Sequence, residues 1–211
     1  MAKIKAVIFD MDGVLIDAKE WHYEALNRAL GLFGYTITRY DHLVTYDGLP
    51  TRKKLEMLSK EQNLPVELHS FINEMKQRYT MEIVHSKCKP VFNKEYAMSR
   101  LKADGYKIGV ASNSVRNSIV TMMDMSDLSK YIDVIVSNQD VKEGKPNPEI
   151  YFKAIEGVGL EPSECLVVED NINGIKAGQA AGAFVMQVET VNDVTYDNII
   201  RAIRDYEGGK G

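Results

Sequence analysis

The chain has 211 residues, enough for one ample core or for a core with a small accessory domain. Its net charge of −4 and pI of about 5.6 supply no basic field, which excludes nucleic acid and an anionic membrane surface as expected partners. Hydrophobic residues at 45% and charged residues at 27% are ordinary for a globular protein in water; no apolar run reaches membrane-span length and no signal-peptide pattern is present, so a monomeric, cytoplasmic protein is expected.

The apolar run Ile4–Phe9 reads as a buried strand, rich in β-formers and too short for a helix. It closes on Asp10, Met11, Asp12 and Gly13. Side chains two apart on a strand point to the same side, so an extended backbone through Asp12 would aim both carboxylates at one point. Two acids that close repel unless a cation or a proton lies between them. The carboxyl ends of strands are also where open α/β sheets bind ligands.

A helical region follows. Lys19–Gly34, Thr51–Glu61 and Val66–Val84 carry helical patterns, and Phe71, Met75, Tyr79 and Ile83 make an apolar stripe on the third. Residues 17–85 therefore read as an inserted helical cap domain, with linkers at Ile16–Lys19 and His85–Pro90. Residues 1–16 and 86–211 read as the core. There the chain alternates: helix Asn93–Asp104, strand Tyr106–Ala111, helix Val115–Met123, strand Val134–Ser137, helix Pro148–Gly157, strand Cys165–Val168, helix Ile172–Ala181 and strand Phe184–Val188. An amphipathic helix, Tyr196–Tyr206, precedes a polar tail, Glu207–Gly211, expected to fray. Such alternation predicts an α/β fold, a Rossmann-like parallel sheet with helices on both faces. Met122, Met123 and Met125 are expected to fill gaps in the core. Gly174 and Gly178 would let a helix approach the sheet closely, and Gly182 either joins them or stops the helix. Cys88 and Cys165, far apart and in no metal spacing, read as two reduced thiols.

Four segments at or beyond strand ends carry chemistry: Asp10–Asp12, Ala111–Ser114, Lys142–Pro148 and Glu169–Asn171. Converged on one edge, they supply four carboxylates, hydroxyls, an ammonium and helix N-termini, an inventory suited to phosphoryl transfer with a hard cation. Each has a plainer use. Aspartates before Gly13 favour turns, Glu169 to Asn171 could cap a helix, and lysines are most often solvated. Ser112 or Ser114 could cap the next helix, a geometry shared with phosphate binding.

In this order and spacing, the motifs resemble those of the haloacid dehalogenase-like phosphatase superfamily, over essentially the whole chain. Within it, the chain is similar to the β-phosphoglucomutase-like branch, which carries a helical cap after the first motif. The resemblance implies that Asp10 is the nucleophile, forming an aspartyl-phosphate, and that Asp12 is the general acid and base. It implies that Ser112 binds the transferring phosphoryl group, that Asn113 and Ser114 beside it bind the substrate, and that Lys145 neutralises charge. It further implies Mg²⁺ held by Asp10, the Asp12 backbone carbonyl, Asp170 and, directly or through water, Glu169. In the cap, His22 matches a histidine that lies near the catalytic acid in that branch; it could equally be a surface residue. The segment Gly48–Arg52 resembles the cap's specificity loop, with Thr51 as N-cap and Arg52 set to meet a remote anionic group of the substrate.

A haloacid dehalogenase proper acts at carbon without a metal or the second aspartate, so Asp12 and the Glu169–Asp170 pair argue against it. A non-catalytic binding module would more naturally lack one of Asp10, Asp12, Lys145 or Asp170. Phosphatase and phosphomutase share all core residues. After Ser114 this chain has Val115 and Arg116, where the mutase carries a lysine and an asparagine. The expected activity is therefore a Mg²⁺-dependent phosphatase acting on a small phosphorylated metabolite, a sugar phosphate first among them.

Overall fold

The structure is a computed structural model describing residues 3–209. Of the tail expected to fray, Lys210 and Gly211 lie outside the described residues; Glu207 closes the last helix.

In chain order the elements are β1 (Ala6–Phe9), α1 (Lys19–Gly31), α2 (Arg39–Asp41), α3 (Thr51–Gln62), α4 (His69–Lys87), α5 (Phe92–Ala103), β2 (Lys107–Ala111) and α6 (Arg116–Met125). Then come β3 (Val134–Val136), α7 (Glu149–Val158), β4 (Cys165–Glu169), α8 (Ile172–Ala180), β5 (Phe184–Gln187) and α9 (Tyr196–Glu207). The strands form one parallel sheet in the order β3-β2-β1-β4-β5. β1 is central: Ile8 is in register with Gly109 on one side and Val167 on the other. With helices on both faces, all four of its side chains are buried, which is why the run is continuously apolar rather than alternating. On one face, Ala6, Ile8, Val167, Tyr151, Ala154 and Ala177 belong to a single core cluster joining the sheet to α7 and α8. Met122 and Met123 are fully buried, as gap-fillers should be. Gly182 has φ +79° and its N–H donates to Gln179 O, so it is the helix stop.

The chain divides into two compact units: one joins the segment ending at Asp17 to that starting at Lys89, and the other is Ala18–Cys88. The second unit has its own core, built from Leu26, Leu30, Ile37, Tyr46, Leu55 and Leu58 among others. Within it α2 runs into a π-helical turn, His42–Tyr46, that hydropathy alone does not signal. The buried Tyr46 finds a partner for its hydroxyl in Glu61, at 2.5 Å.

Several expectations are corrected. The strand ends at Phe9 as expected, but the extended backbone does not persist through Asp12: Met11 O accepts from the N–H of Val14, Leu15 and Ile16, so the chain turns there. Thr51 is the first residue of α3 rather than its cap, which is Pro50 with no side-chain bond. The buried face of α4 is Ile72, Lys76, Thr80, Ile83 and Val84, whereas Phe71 is 47% exposed and meets Phe33 edge-on at 5.7 Å. A row of residues four apart runs obliquely round a helix, so of this stripe Met75 and Tyr79 pack half-buried against the core, Ile83 is buried and Phe71 stays outside. Because α4 continues to Lys87, the second linker starts later than His85.

Candidate active site

Asp10 follows β1 directly, and its N–H donates to Val168 O at 3.0 Å, extending the ladder to β4 by one residue. That bond sets the Asp10 side chain beside the end of β4, where Glu169 is the last strand residue and Asp170 the next. Lys145, 5% exposed, reaches this point from the loop before α7. Its Nζ donates to Asp10 Oδ1 and Glu169 Oε1, both at 2.5 Å, and to Ala111 O at 2.8 Å. The ammonium thus spends all three protons on the ends of β1, β2 and β4.

Glu169 is held from every side. Its Oε1 also accepts from the Tyr151 hydroxyl at 2.6 Å, and its Oε2 accepts from the N–H of Asp170 and Asn171 at 3.1 and 3.3 Å. The Tyr151 ring lies 4.9 Å from Lys145 Nζ, a cation–π geometry. Gly174, on the first turns of α8, faces this carboxylate so closely that a Cβ there would overlap it.

Electrostatics follow from crowding. Burial, with the charges of Glu169, Asp12 and Asp170, pushes the Asp10 carboxyl well above the usual carboxylate range, against the pull of Lys145. Burial disfavours the Lys145 ammonium, but Asp10 and Glu169 outweigh it and hold that group above its ordinary value. Burial and the Glu169 charge push the Tyr151 phenol well above its ordinary value, so it stays a donor. One ammonium among four carboxylates leaves a surplus of negative charge that invites a cation. Asp10, Glu169 and Asp170 each offer a carboxylate oxygen within 4.8 Å of the others. A set of hard oxygen donors, two buried and Asp170 half-buried, carrying excess negative charge fits Mg²⁺.

On the other flank lies the loop after β2. Ser112 is buried, its N–H donates to Val136 O, and its Oγ accepts from Ser114 N–H at 3.1 Å, which leaves its hydroxyl proton to donate. Ser114 Oγ donates to Asp12 Oδ2 at 2.8 Å. Asn113 places its amide on the backbone of Lys145: Oδ1 accepts from Lys145 N–H at 3.0 Å, and Nδ2 donates to Lys145 O at 3.4 Å. Gly144 is required beneath it, because a Cβ there would run into Asn113 Oδ1. The Arg116 guanidinium donates to Asp140 Oδ2 at 2.7 Å and to Ile135 O at 3.1 Å.

The three remaining expected residues lie in the second unit. His22 is on α1, with Nδ1 3.3 Å from Lys76 Nζ of α4. Gly48, at φ +70°, turns the chain between the π-turn and α3. Arg52 sits at the start of α3; its side chain is 90% exposed and pairs with Glu56 at 3.0 Å.

The pattern of the haloacid dehalogenase-like hydrolases matches residues 7–188, from β1 to just beyond β5. The chain belongs to that family. A phosphorylated carbohydrates phosphatase from Thermotoga maritima is 32% identical over 182 residues, covering 85% of this chain and 82% of its own. A phosphoglycolate phosphatase from Aquifex aeolicus is 30% identical over 180 residues, covering 85% and 82%. In fold, the chain is similar to a β-phosphoglucomutase crystal structure from Clostridium difficile, with a TM-score of 0.85 at 24% identity, covering 97% of this chain and 99% of that one. The haloacid dehalogenase-like chain described here is accordingly an enzyme of the phosphatase and phosphomutase kind. Tyr151 is the site residue that sequence reasoning missed. Its signal was available: a tyrosine on the core-facing side of a helix must find a partner for its hydroxyl, and it stands three residues after Pro148. No helix among the described residues is long and apolar enough to cross a membrane.

Proposed function

We propose that this protein is a Mg²⁺-dependent phosphatase of small phosphorylated metabolites, with sugar phosphates as the substrate class. The observation that carries this reading is Lys145 Nζ set 2.5 Å from both Asp10 and Glu169 beside a three-carboxylate cluster, an arrangement suited to a phosphate dianion only if a cation is shared. Asp10 and Asp170 would hold Mg²⁺, with the Asp12 carbonyl, while Glu169, whose oxygens already accept four hydrogen bonds, would reach it through water. The ion would neutralise charge on the phosphate and return Asp10 to its ionised form.

Asp10 then attacks phosphorus, and the phosphorus–oxygen bond to the leaving group breaks as the Asp10–phosphorus bond forms. Asp12 gives the leaving oxygen its proton. The resulting Asp12 carboxylate takes a proton from water, whose oxygen attacks phosphorus and releases Asp10 and inorganic phosphate. Ser112 donates to the phosphoryl oxygens, and Lys145 spreads its charge over Asp10 and the phosphate. Asn113 acts by fixing the Lys145 backbone. His22, Gly48 and Arg52 are assigned to the substrate: an exposed ion pair such as Arg52–Glu56 is worth little, so Arg52 is easily redirected to an anionic group. The names of the relatives in Thermotoga and Aquifex agree with phosphorylated small molecules as substrates. Two buried thiols suit a reducing cytoplasm, where we place the enzyme as a monomer.

A phosphomutase reading is disfavoured by Arg116, whose guanidinium is already bound to Asp140 and Ile135 O, and by the apolar Val115. Phosphate release should be screened over sugar phosphates, nucleotides and phosphoglycolate, with Mg²⁺ and with a chelator. Release that needs Mg²⁺ and vanishes in Asp10→Asn is expected. Full activity in that variant would sink the mechanism, and isomerisation of β-glucose 1-phosphate dependent on a bisphosphate would transfer the assignment to the mutase.

A further inference from the structure

The Asp12 side chain stands where its backbone alone cannot aim it. The chain leaves β1 at Phe9, and the turn at Met11 is pinned by three N–H groups on Met11 O and by Gly13 N–H on Ile16 O at 2.7 Å. That fixes the Asp12 backbone. The Ser114 hydroxyl holds its side chain, donating to Asp12 Oδ2 at 2.8 Å across 102 residues of sequence. Ser114 is itself braced: its N–H donates to Ser112 Oγ at 3.1 Å, and its carbonyl accepts from Asn138 N–H at 3.2 Å. Its neighbour Ser112 is buried at the end of β2.

We infer that Ser114 is the positioning residue for the proton-transferring carboxylate, rather than a ligand of the substrate. The inference rests on the phosphatase reading above and adds a division of labour between the two serines of the loop. Ser112 serves the phosphoryl group and Ser114 serves Asp12. The Ser114 proton does not transfer; it stays on Oγ through both steps. A residue with this role affects the two steps that need Asp12 and spares those that do not. Loss of alignment of a proton-transferring group by about 1 Å costs on the order of a hundredfold.

The test uses the full chain with Mg²⁺ and a series of aryl phosphates, from p-nitrophenyl phosphate to phenyl phosphate. The p-nitrophenolate leaves as a stable anion without help from an acid, whereas phenolate gains from protonation. In Ser114→Ala, the phosphoenzyme burst with p-nitrophenyl phosphate should keep its rate within about twofold, while the burst with phenyl phosphate and the decay of the phosphoenzyme slow by about ten- to a hundredfold. The substrate dissociation constant, read from the concentration dependence of the burst rate, should stay within about twofold, and Ser114→Thr, which keeps the hydroxyl, should recover most of the lost rate. A rise in KM with kcat unchanged would make Ser114 a substrate ligand and overturn the inference. So would an equal loss across the series, wild-type behaviour in Ser114→Ala, or failure of the threonine to rescue. A wild-type chain that forms no phosphoenzyme with any ester overturns the phosphatase reading itself, and that result is distinct because it precedes any effect of the substitution.

Discussion

Asp10 and Asp12 look alike in the sequence and are handled differently by the fold. Asp10 is buried against Lys145 and carboxylates, while Asp12 is steered by a serine hydroxyl. Neither partner is a sequence neighbour; Lys145 lies 135 residues from Asp10. The residue types are legible in the sequence, but the hydrogen bonds that set Asp10 and Asp12 apart come from strand order. Tyr151 makes the same point from the other direction: its position says that the hydroxyl needs a buried partner, but only the fold, bringing Glu169 to 2.6 Å, says which. In the helical unit His42 is 1% exposed. Burial, then the Lys54 charge, pushes its pKa from 6.5 to about 4; Asp47 and the Lys19 carbonyl oppose this, and His22 adds to it. A histidine depressed on folding resists protonation only in the folded state, so its contribution is complete above pH 6.5 and is lost as the pH falls towards 4. The wild-type chain should lose about 2–3 kcal/mol between those limits that His42→Phe does not lose, as read from urea midpoints. Parallel pH curves for the two proteins would show that His42 is not the group responsible.

At the level of elements, the sheet strands were legible because the central ones are buried on both faces and so read as uninterrupted apolar runs. The helical unit was harder. Only Phe71 of the α4 stripe lies outside the core, because a row four apart drifts round the helix, and the π-turn at His42–Tyr46 has no hydropathy signature. Thr51 was taken for a cap on its residue type, yet Pro50, whose φ is already −58°, sits at that position. The glycines of α8 were read correctly as sites of close approach, although the partner of the first was not foreseen. Gly178 faces Val185 and Val167 of the sheet, whereas Gly174 faces the Glu169 carboxylate. Gly174→Ala should therefore destabilise the protein by about 1–3 kcal/mol and also displace Glu169, abolishing most turnover. Gly178→Ala, which only crowds valines, should lower Tm without lowering kcat per folded molecule. If Gly174→Ala retains full kcat, the close packing of α8 on Glu169 is not needed for the site.

For the whole molecule, the most telling property is the unbalanced charge at the centre of the sheet's carboxyl edge. Because an ion would bind the folded chain and not the unfolded one, Mg²⁺ should raise Tm in a concentration-dependent way, by about 3 kcal/mol of stability at a hundredfold excess over Kd. Asp170→Asn should remove that shift; a shift of the same size in this variant would place the ion elsewhere. The sequence by itself determined the fold class and the division into a sheet unit and a helical unit, because burial patterns and hydropathy periods are local signals. Tertiary structure alone decided which polar groups meet. The parallel order β3-β2-β1-β4-β5 brings Asp10, Ser114, Lys145 and Glu169 to one edge, and hydrogen bonds between residues so far apart in the chain have no trace in local pattern.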